Sequence, residues 1–204
     1  VDVTVAGSQK GMMLPAGLSF NAISQKALEA SKTAQLPRSY WRWDDILEAN
    51  KDGFFPSTPA TNPLYGPREA LKMMQAEGLQ QIYARHERLA EATRRATQAW
   101  GLEVLCQNPA EYSCSVTAVL MPEGHSADAL RALILERFDM SLGAGLGKVA
   151  DKVFRIGHLG HLNDLMLAGT LAGVEMGLSL ADVPHQRDGV RAALQYLAES
   201  AGEK

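Results

Sequence analysis

The chain has 204 residues, of which 46% are hydrophobic and 21% charged, and its formal net charge is -3 at pH 7. This composition is ordinary for a globular protein, and the length is enough to bury a core without disulfide or metal support. The sequence has no basic block that would bind nucleic acid and no apolar run that would span a bilayer, so we expect neither partner.

The opening residues predict a β-strand, because residues 1–5 alternate apolar and polar side chains. No loop, cap or initiator Met precedes this strand, although an interior strand needs neighbours on both sides. We therefore expect Val1 to be an internal position of a longer polypeptide. A turn of small residues follows, and then Lys10.

Lys10 is the first candidate for chemistry. Open α/β folds bind ligands at the carboxyl ends of their strands, where this lysine is predicted to lie. A desolvated lysine amine loses its proton more easily, as a Schiff-base lysine must. The alternative is an exposed loop lysine without a chemical role.

Residues 12–66 are predicted to contain two short helices and two loops. Residues 12–17 form a loop, Ser24 caps a helix that ends near residue 31, and a second helix around residue 46 ends at residues 50–53. Between these helices lie three aromatic residues that we expect to pack in the core, although they could instead line a substrate entrance. These residues are Tyr40, Trp41 and Trp43.

The segment 54–67 carries four prolines and is predicted to be a long loop, and such loops often have a function or link domains. Within it, Thr58 is either a functional hydroxyl or a turn residue bonded to its own backbone. From Pro67, apolar residues with helical spacing predict one helix as far as Trp100, stopped by Gly101.

The remainder alternates strands and helices, which predicts a small sheet covered by helices in an α/β or α+β arrangement. Strands are predicted over 102–106, 114–121 and 153–159. Helices are predicted over 126–138, 163–176 and 183–200, and a glycine-rich loop over 143–147. Cys106 and Cys114 fall in predicted strands, so we expect buried free thiols and a reducing, cytoplasmic setting.

Arg155 is the second candidate, because a charge inside the apolar strand 153–159 is costly unless it is paired. Its guanidinium suits the carboxylate of an amino acid, and the alternative is a structural ion pair. The glycine loop 143–147 lacks the spacing of a dinucleotide-binding motif, which weakens the hypothesis of a nucleotide-dependent enzyme. His158 and His161 follow this arginine, three residues apart and without a third ligand, so no metal site is expected.

Three motifs together resemble the class V aminotransferases that act on glyoxylate. Gly7-Ser8-Gln9-Lys10-Gly11 resembles their cofactor-lysine segment, and Pro63-Leu64-Tyr65-Gly66-Pro67-Arg68 their domain-linking region. Phe154-Arg155-Ile156-Gly157-His158-Leu159-Gly160 resembles their substrate-arginine segment. The resemblance covers essentially the whole chain.

The resemblance implies a fold-type I transferase dependent on pyridoxal 5'-phosphate. Residues 1–66 would be the end of the large domain, and 67–204 a linking helix and the small α/β (α+β) C-terminal domain. Lys10 would hold the cofactor and move the α-proton, and Gln9 would hydrogen-bond the cofactor or, alternatively, the local backbone. Thr58 would reach the partner's cofactor phosphate in a homodimer.

The resemblance further implies that Arg155 binds the substrate carboxylate, and that the reaction moves the amino group of L-serine to glyoxylate. Alanine–glyoxylate or ureidoglycine–glyoxylate transfer, or a non-catalytic half-enzyme, are the alternatives. The sequence departs from the family pattern at Phe55, where a tyrosine is usual. The acid that pairs with the pyridine nitrogen and the phosphate-binding loop precede the lysine in this family, so both are expected upstream of Val1.

Overall fold

A computed structural model describes residues 1–202, and the contacts divide the chain into two compact units, Val1–Ala76 and Glu77–Lys204. In the first unit, β1 (Val3–Gly7) pairs with β2 (Ser19–Ile23) in antiparallel fashion. The opening strand predicted from the alternating pattern is thereby confirmed, although it starts at Val3 and extends to Gly7.

Three helices follow in the first unit, α1 (Gln25–Ser31), α2 (Trp43–Lys51) and α3 (Thr61–Glu77), the last of which ends one residue beyond the unit. As predicted, Ser24 caps α1, and its hydroxyl accepts a 3.1 Å hydrogen bond from the backbone N–H of Ala27. This bond satisfies one of the N–H groups that the first turn of any helix leaves free.

The aromatic side chains between α1 and α2 do not pack in a core. Tyr40 is 72% exposed and Trp41 is 78% exposed, and their rings meet edge to face with centroids 6.4 Å apart. The expectation of core packing for these two residues is therefore wrong in this structure. Few residues of the first unit are buried, so it offers little apolar interior to receive them.

The single helix predicted over residues 67–100 is two helices. The first, α3, begins earlier, at Thr61, and carries Pro67 inside it; the second is α4 (Leu79–Ala99). Gly78 separates them with a φ of 86°, which a glycine adopts without steric cost. The apolar spacing continues on both sides of Gly78, and for this reason the pattern did not indicate the break. The end of the pattern was predicted correctly, since α4 stops immediately before Trp100 and Gly101.

The second unit contains a three-stranded antiparallel sheet with the order β3 (Val116–Leu120), β5 (Val153–Gly157), β4 (Gly143–Ala144). The predicted glycine loop is thus partly wrong, because its first two residues form β4. The strand predicted over 102–106 is reduced to an isolated bridge between Val104 and Val119.

Helices α4, α5 (Ala127–Phe138), α6 (Asp164–Leu180) and α7 (Gly189–Glu199) build the rest of this unit. Ser126 caps α5 as predicted, whereas α7 starts later than the predicted residue 183. The buried core draws on these helices and on one face of the sheet. Its largest fully buried members include Leu89, Trp100, Leu130, Phe154, Ile156 and Leu171.

The cysteines were predicted to be buried, and this is wrong: Cys106 is partly exposed and Cys114 is exposed, and both are free thiols. The physical reason is that both lie outside the strands, since β3 begins only at Val116. Among the helices formed by residues 1–202, none combines the length and apolar character needed to cross a membrane.

Candidate functional site

Lys10 lies in a turn directly after β1, with its side chain exposed. The turn is fixed from within by Ser8, which is fully buried although its side chain is polar. The Ser8 hydroxyl donates to the carbonyl of Pro15 at 2.7 Å and accepts from the N–H of Leu18 at 3.2 Å. The backbone N–H of Met13 closes the turn by donating to the carbonyl of Lys10 at 2.9 Å. Lys10 therefore lies on a backbone that these hydrogen bonds hold in place, at the carboxyl end of a strand.

The other two candidates of the first unit, Gln9 and Thr58, are both exposed. The Gln9 side chain folds back over Gly7, so that a Cβ at Gly7 would lie 2.7 Å from Oε1 of Gln9. Thr58 lies in the irregular segment between α2 and α3. The neighbouring Phe55 is 46% exposed.

Arg155 lies in the middle of β5, between the smallest side chains that its two neighbouring strands offer. It is opposite Ala118 of β3 and opposite Gly143 of β4. Side chains directly opposite in an antiparallel pair project from the same face, so these three share one face of the sheet. Phe154 and Ile156 project from the other face, into the core.

The guanidinium of Arg155 has a polar atom without a partner. Its Nε is buried, and it is the one buried side-chain nitrogen or oxygen within residues 1–202 that makes no hydrogen bond. No ion pair of the described chain includes Arg155. Leaving a charged donor buried and unpaired costs about 1–3 kcal/mol or more. A carboxylate ligand placed against Nε would remove this cost.

The segment after β5 is held by α4. Arg85 donates from Nη1 to the carbonyls of Gly160 at 2.7 Å and Leu162 at 3.1 Å, and pairs with Glu77 through Nε at 2.6 Å. Nε2 of His86 accepts the N–H of Gly160 at 3.0 Å. The hydrogen bond from Arg85 lowers the pKa of Glu77, and its partial burial opposes this. These contacts fix the backbone that continues from Arg155.

The structure places Lys10, Gln9 and Thr58 in the first unit and Arg155 in the second. Sequence reasoning missed Ser8, which bonds within the turn of Lys10, and Gly143, which lies opposite Arg155, although it singled out the segments that contain them. A buried serine next to a candidate lysine, and a glycine in a strand, were the available signals. Arg85 gave no signal, because its partners are distant in sequence.

A cavity of about 240 Å³ lies in the second unit, apart from the predicted residues. Its lining includes Arg94, Cys106, Tyr112 and Val116, and none of Lys10, Gln9, Thr58 or Arg155.

Comparison with known proteins identifies relatives along the whole chain. The family model described as aminotransferase class-V matches residues 1–159. A serine–glyoxylate aminotransferase of Methylorubrum extorquens is 48% identical over 98% of this chain and 51% of its own length. An L-aspartate–glyoxylate aminotransferase of Paracoccus denitrificans is 42% identical over 98% of this chain and 51% of its own length. The chain thus spans about half the length of the curated relatives that it matches.

Solved structures agree with these relatives. A pyridoxamine–pyruvate aminotransferase from Mesorhizobium loti superimposes with a TM-score of 0.91 at 29% identity, over 98% of this chain and 52% of the other. The predicted fold, that of a fold-type I pyridoxal-phosphate-dependent transferase, is confirmed by this likeness. Since the family model covers most of the sequence and the relatives are closely similar, the chain belongs to the class-V aminotransferase family.

Proposed function

We propose that this chain supplies Lys10 and Arg155 to a transaminase that moves the amino group of L-serine to glyoxylate, giving hydroxypyruvate and glycine. The observation that carries the proposal is the buried, unpaired Nε of Arg155, in a strand that lies within the residues matched by the family model. The serine–glyoxylate aminotransferase among the relatives supports the choice of substrates.

The residues of this chain fit pyridoxal phosphate, the cofactor that the family implies. Lys10 is exposed, and it takes part in none of the ion pairs found within residues 1–202. Its amine is therefore free to hold the cofactor, and Gln9 beside it would donate a hydrogen bond to the phenolic oxygen or the phosphate. When bound, the cofactor supplies an electron sink for the carbanion chemistry of the amino acid.

Lys10 would serve both as the anchor of the cofactor and as the base that moves the α-proton. When it does not hold the cofactor, the Lys10 amine would be free to accept the α-proton as a general base and to give it up again as a general acid. The braced turn supports this role, because a catalytic amine must be held in a defined position.

Arg155 would bind the α-carboxylate through its planar fork of N–H donors. Serine and glyoxylate both carry a carboxylate next to the reacting carbon, so one arginine would serve both halves of the reaction. The segment after β5, held by Arg85 and His86, would keep this arginine in place.

The complete protein would be a cytoplasmic homodimer, in which residues 1–66 belong to the large domain and 67–204 form the linking helix and small domain. The segment that contains Thr58 would cross to the partner and bind its cofactor phosphate. Alanine or ureidoglycine as amino donor are the alternatives, and steady-state rates with serine, alanine and ureidoglycine against glyoxylate would decide between them.

The proposal is tested with Lys10→Ala in the full-length protein, with Lys51→Ala on exposed α2 as the matched control. We expect the wild type and the control to be yellow and active. Borohydride should attach the cofactor covalently to the peptide that contains Lys10. Lys10→Ala should fold normally and lose transamination. Substantial turnover by Lys10→Ala, or a colourless and inactive wild type as expected of a non-catalytic half-enzyme, would overturn the proposal.

A further inference from the structure

The strand pairing places Gly143 directly beside Arg155, the residue proposed above to bind the substrate carboxylate. A Cβ built on Gly143 would lie 3.0 Å from Cβ of Arg155, 3.1 Å from its Nε and 3.5 Å from its Cζ. The Arg155 side chain therefore lies over Gly143 along its length, from Cβ to the guanidinium. Cβ contacts this short are rare, so a larger residue at position 143 would displace its neighbour.

The backbone itself does not require glycine at position 143. The glycines with positive φ include Gly147 and Gly160 but not Gly143, which has an ordinary strand conformation in its pair with β5. Any L-residue could adopt that conformation, and most would suit a strand better than glycine does. The remaining physical reason for glycine is the space that the Arg155 side chain occupies.

We propose that Gly143 is a positioning residue. Because it has no side chain, it leaves the space in which the Arg155 guanidinium takes the orientation that binds a substrate carboxylate. This inference rests on the proposed role of Arg155. Cβ of Arg155 cannot move aside, because it is attached to the backbone of β5, the central strand of the sheet. A side chain at position 143 would therefore push the guanidinium end away from the place where Nε is buried and unpaired.

The test compares Gly143→Ala and Gly143→Val with the wild type in the full-length holoenzyme. An alanine should raise KM for serine and for glyoxylate by roughly threefold to tenfold, and valine by more than that, with kcat within about twofold. Gly169→Ala is the matched control, because a Cβ there would meet nothing within 4 Å. Its KM values should equal those of the wild type.

Two further measurements separate positioning from a general structural effect. In the Arg155→Lys background, Gly143→Ala should change KM by less than about twofold, because its effect acts through the guanidinium. Binding of L-glycerate, which has the carboxylate of serine but no amino group, should weaken in Gly143→Ala by the same factor as KM. If Gly143→Val fails to fold, Gly143→Ala alone decides the test, because it adds only one methyl group.

The outcomes distinguish this inference from the proposed function. If the wild type is an active transaminase and Gly143→Ala keeps its KM values and its affinity for L-glycerate, the positioning role is overturned and the function stands. If the wild type shows no transamination yet binds L-glycerate more tightly than Gly143→Ala does, the function fails and the positioning role stands. If the wild type binds no carboxylate, both fail.

Discussion

The hydroxyl of Thr117 donates a hydrogen bond to Nε2 of His158 over 3.0 Å, and the two side chains join β3 to the end of β5. On the other side of the ring, Nδ1–H donates to the carbonyl of Cys114 at 3.1 Å. His158 is fully buried. The carbonyl can only accept, so Nδ1 carries a hydrogen, and Nε2 of the neutral ring then accepts from Thr117.

Burial lowers the pKa of His158 to about 4, assisted by the charges of Arg94 and His86 and opposed by the hydrogen bond to Cys114. The folded protein thus binds this proton less readily than the unfolded chain, whose histidine pKa is about 6.5. The stability that follows is fully present above about pH 6.5 and is lost as the pH falls toward 4. Between pH 7.5 and 5.5, uptake of this proton by the unfolded chain should lower the free energy of unfolding by on the order of 1 kcal/mol.

Hydrogen exchange of the amides of β3 and β5 at these two pH values measures that loss. The variant His158→Gln, although less stable at pH 7.5, should lose less stability on acidification than the wild type by about the amount given above. Exposed His161 offers the control, and His161→Gln should follow the wild type. An identical pH dependence in His158→Gln would show that another group titrates.

Arg155→Lys should weaken substrate binding, because the point charge of an ammonium cannot make the two parallel bonds of a guanidinium. Losing a bidentate, charge-assisted contact should cost about 2–3 kcal/mol, which is roughly a 30- to 150-fold rise in KM for serine and for glyoxylate. Arg191→Lys, an exposed substitution on α7, is the control. Unchanged Michaelis constants in Arg155→Lys would make this arginine structural.

The contacts around the Trp100 indole predict that a substitution at Gly189 will destabilise the fold. Nε1 of Trp100 donates to Oε2 of Glu175 at 2.7 Å, and the N–H of Val190 donates to the same oxygen at 3.1 Å. A Cβ on Gly189 would overlap the Trp100 indole. Gly189→Ala should therefore displace the ring and lower the free energy of unfolding by about 1–3 kcal/mol.

Thermal unfolding checks this prediction against Gly169→Ala, which adds its methyl in open space on helix α6. That control should be neutral or slightly stabilising, since alanine favours a helix interior over glycine. Equal unfolding temperatures for the two variants would mean that the Trp100 indole can move aside without lowering the free energy of unfolding.

The sequence predicted the elements whose signals are local. Ser24 and Ser126 each accept a hydrogen bond from the N–H three residues later, and both helix starts were predicted from these residues alone. The break at Gly78 was missed because the apolar spacing on either side stays compatible with one helix. A single glycine inside a periodic pattern does not by itself indicate a positive φ.

The parts that escaped prediction depend on contacts between distant residues. β4 has only two residues and exists through its pairing with β5, which no local pattern encodes. The exposure of Cys114 likewise depends on where β3 begins. For the site, the Lys10 and Arg155 motifs predicted the candidates themselves. The hydrogen bonds of Ser8 within the Lys10 turn, and the position of Gly143 opposite Arg155, became visible only in the structure.

We propose that Thr58 serves the cofactor of the partner subunit, whereas Lys10 serves its own. Thr58 is exposed and lies in an irregular, proline-rich segment, which is compatible with a role outside its own unit. Mixing Lys10→Ala protomers with Thr58→Ala protomers tests the proposal, provided that each variant alone has low activity.

In a mixed dimer of this design, one site would combine both lesions and the other site would be wild type, because each site draws Lys10 from one protomer and Thr58 from the other. Random exchange of equal amounts should restore about a quarter of all sites, and the activity should rise accordingly above that of either variant. If Thr58 acted on its own protomer, every site would keep a lesion and no activity would return. Subunit exchange verified by mass spectrometry, followed by no gain in activity, would therefore exclude the shared site.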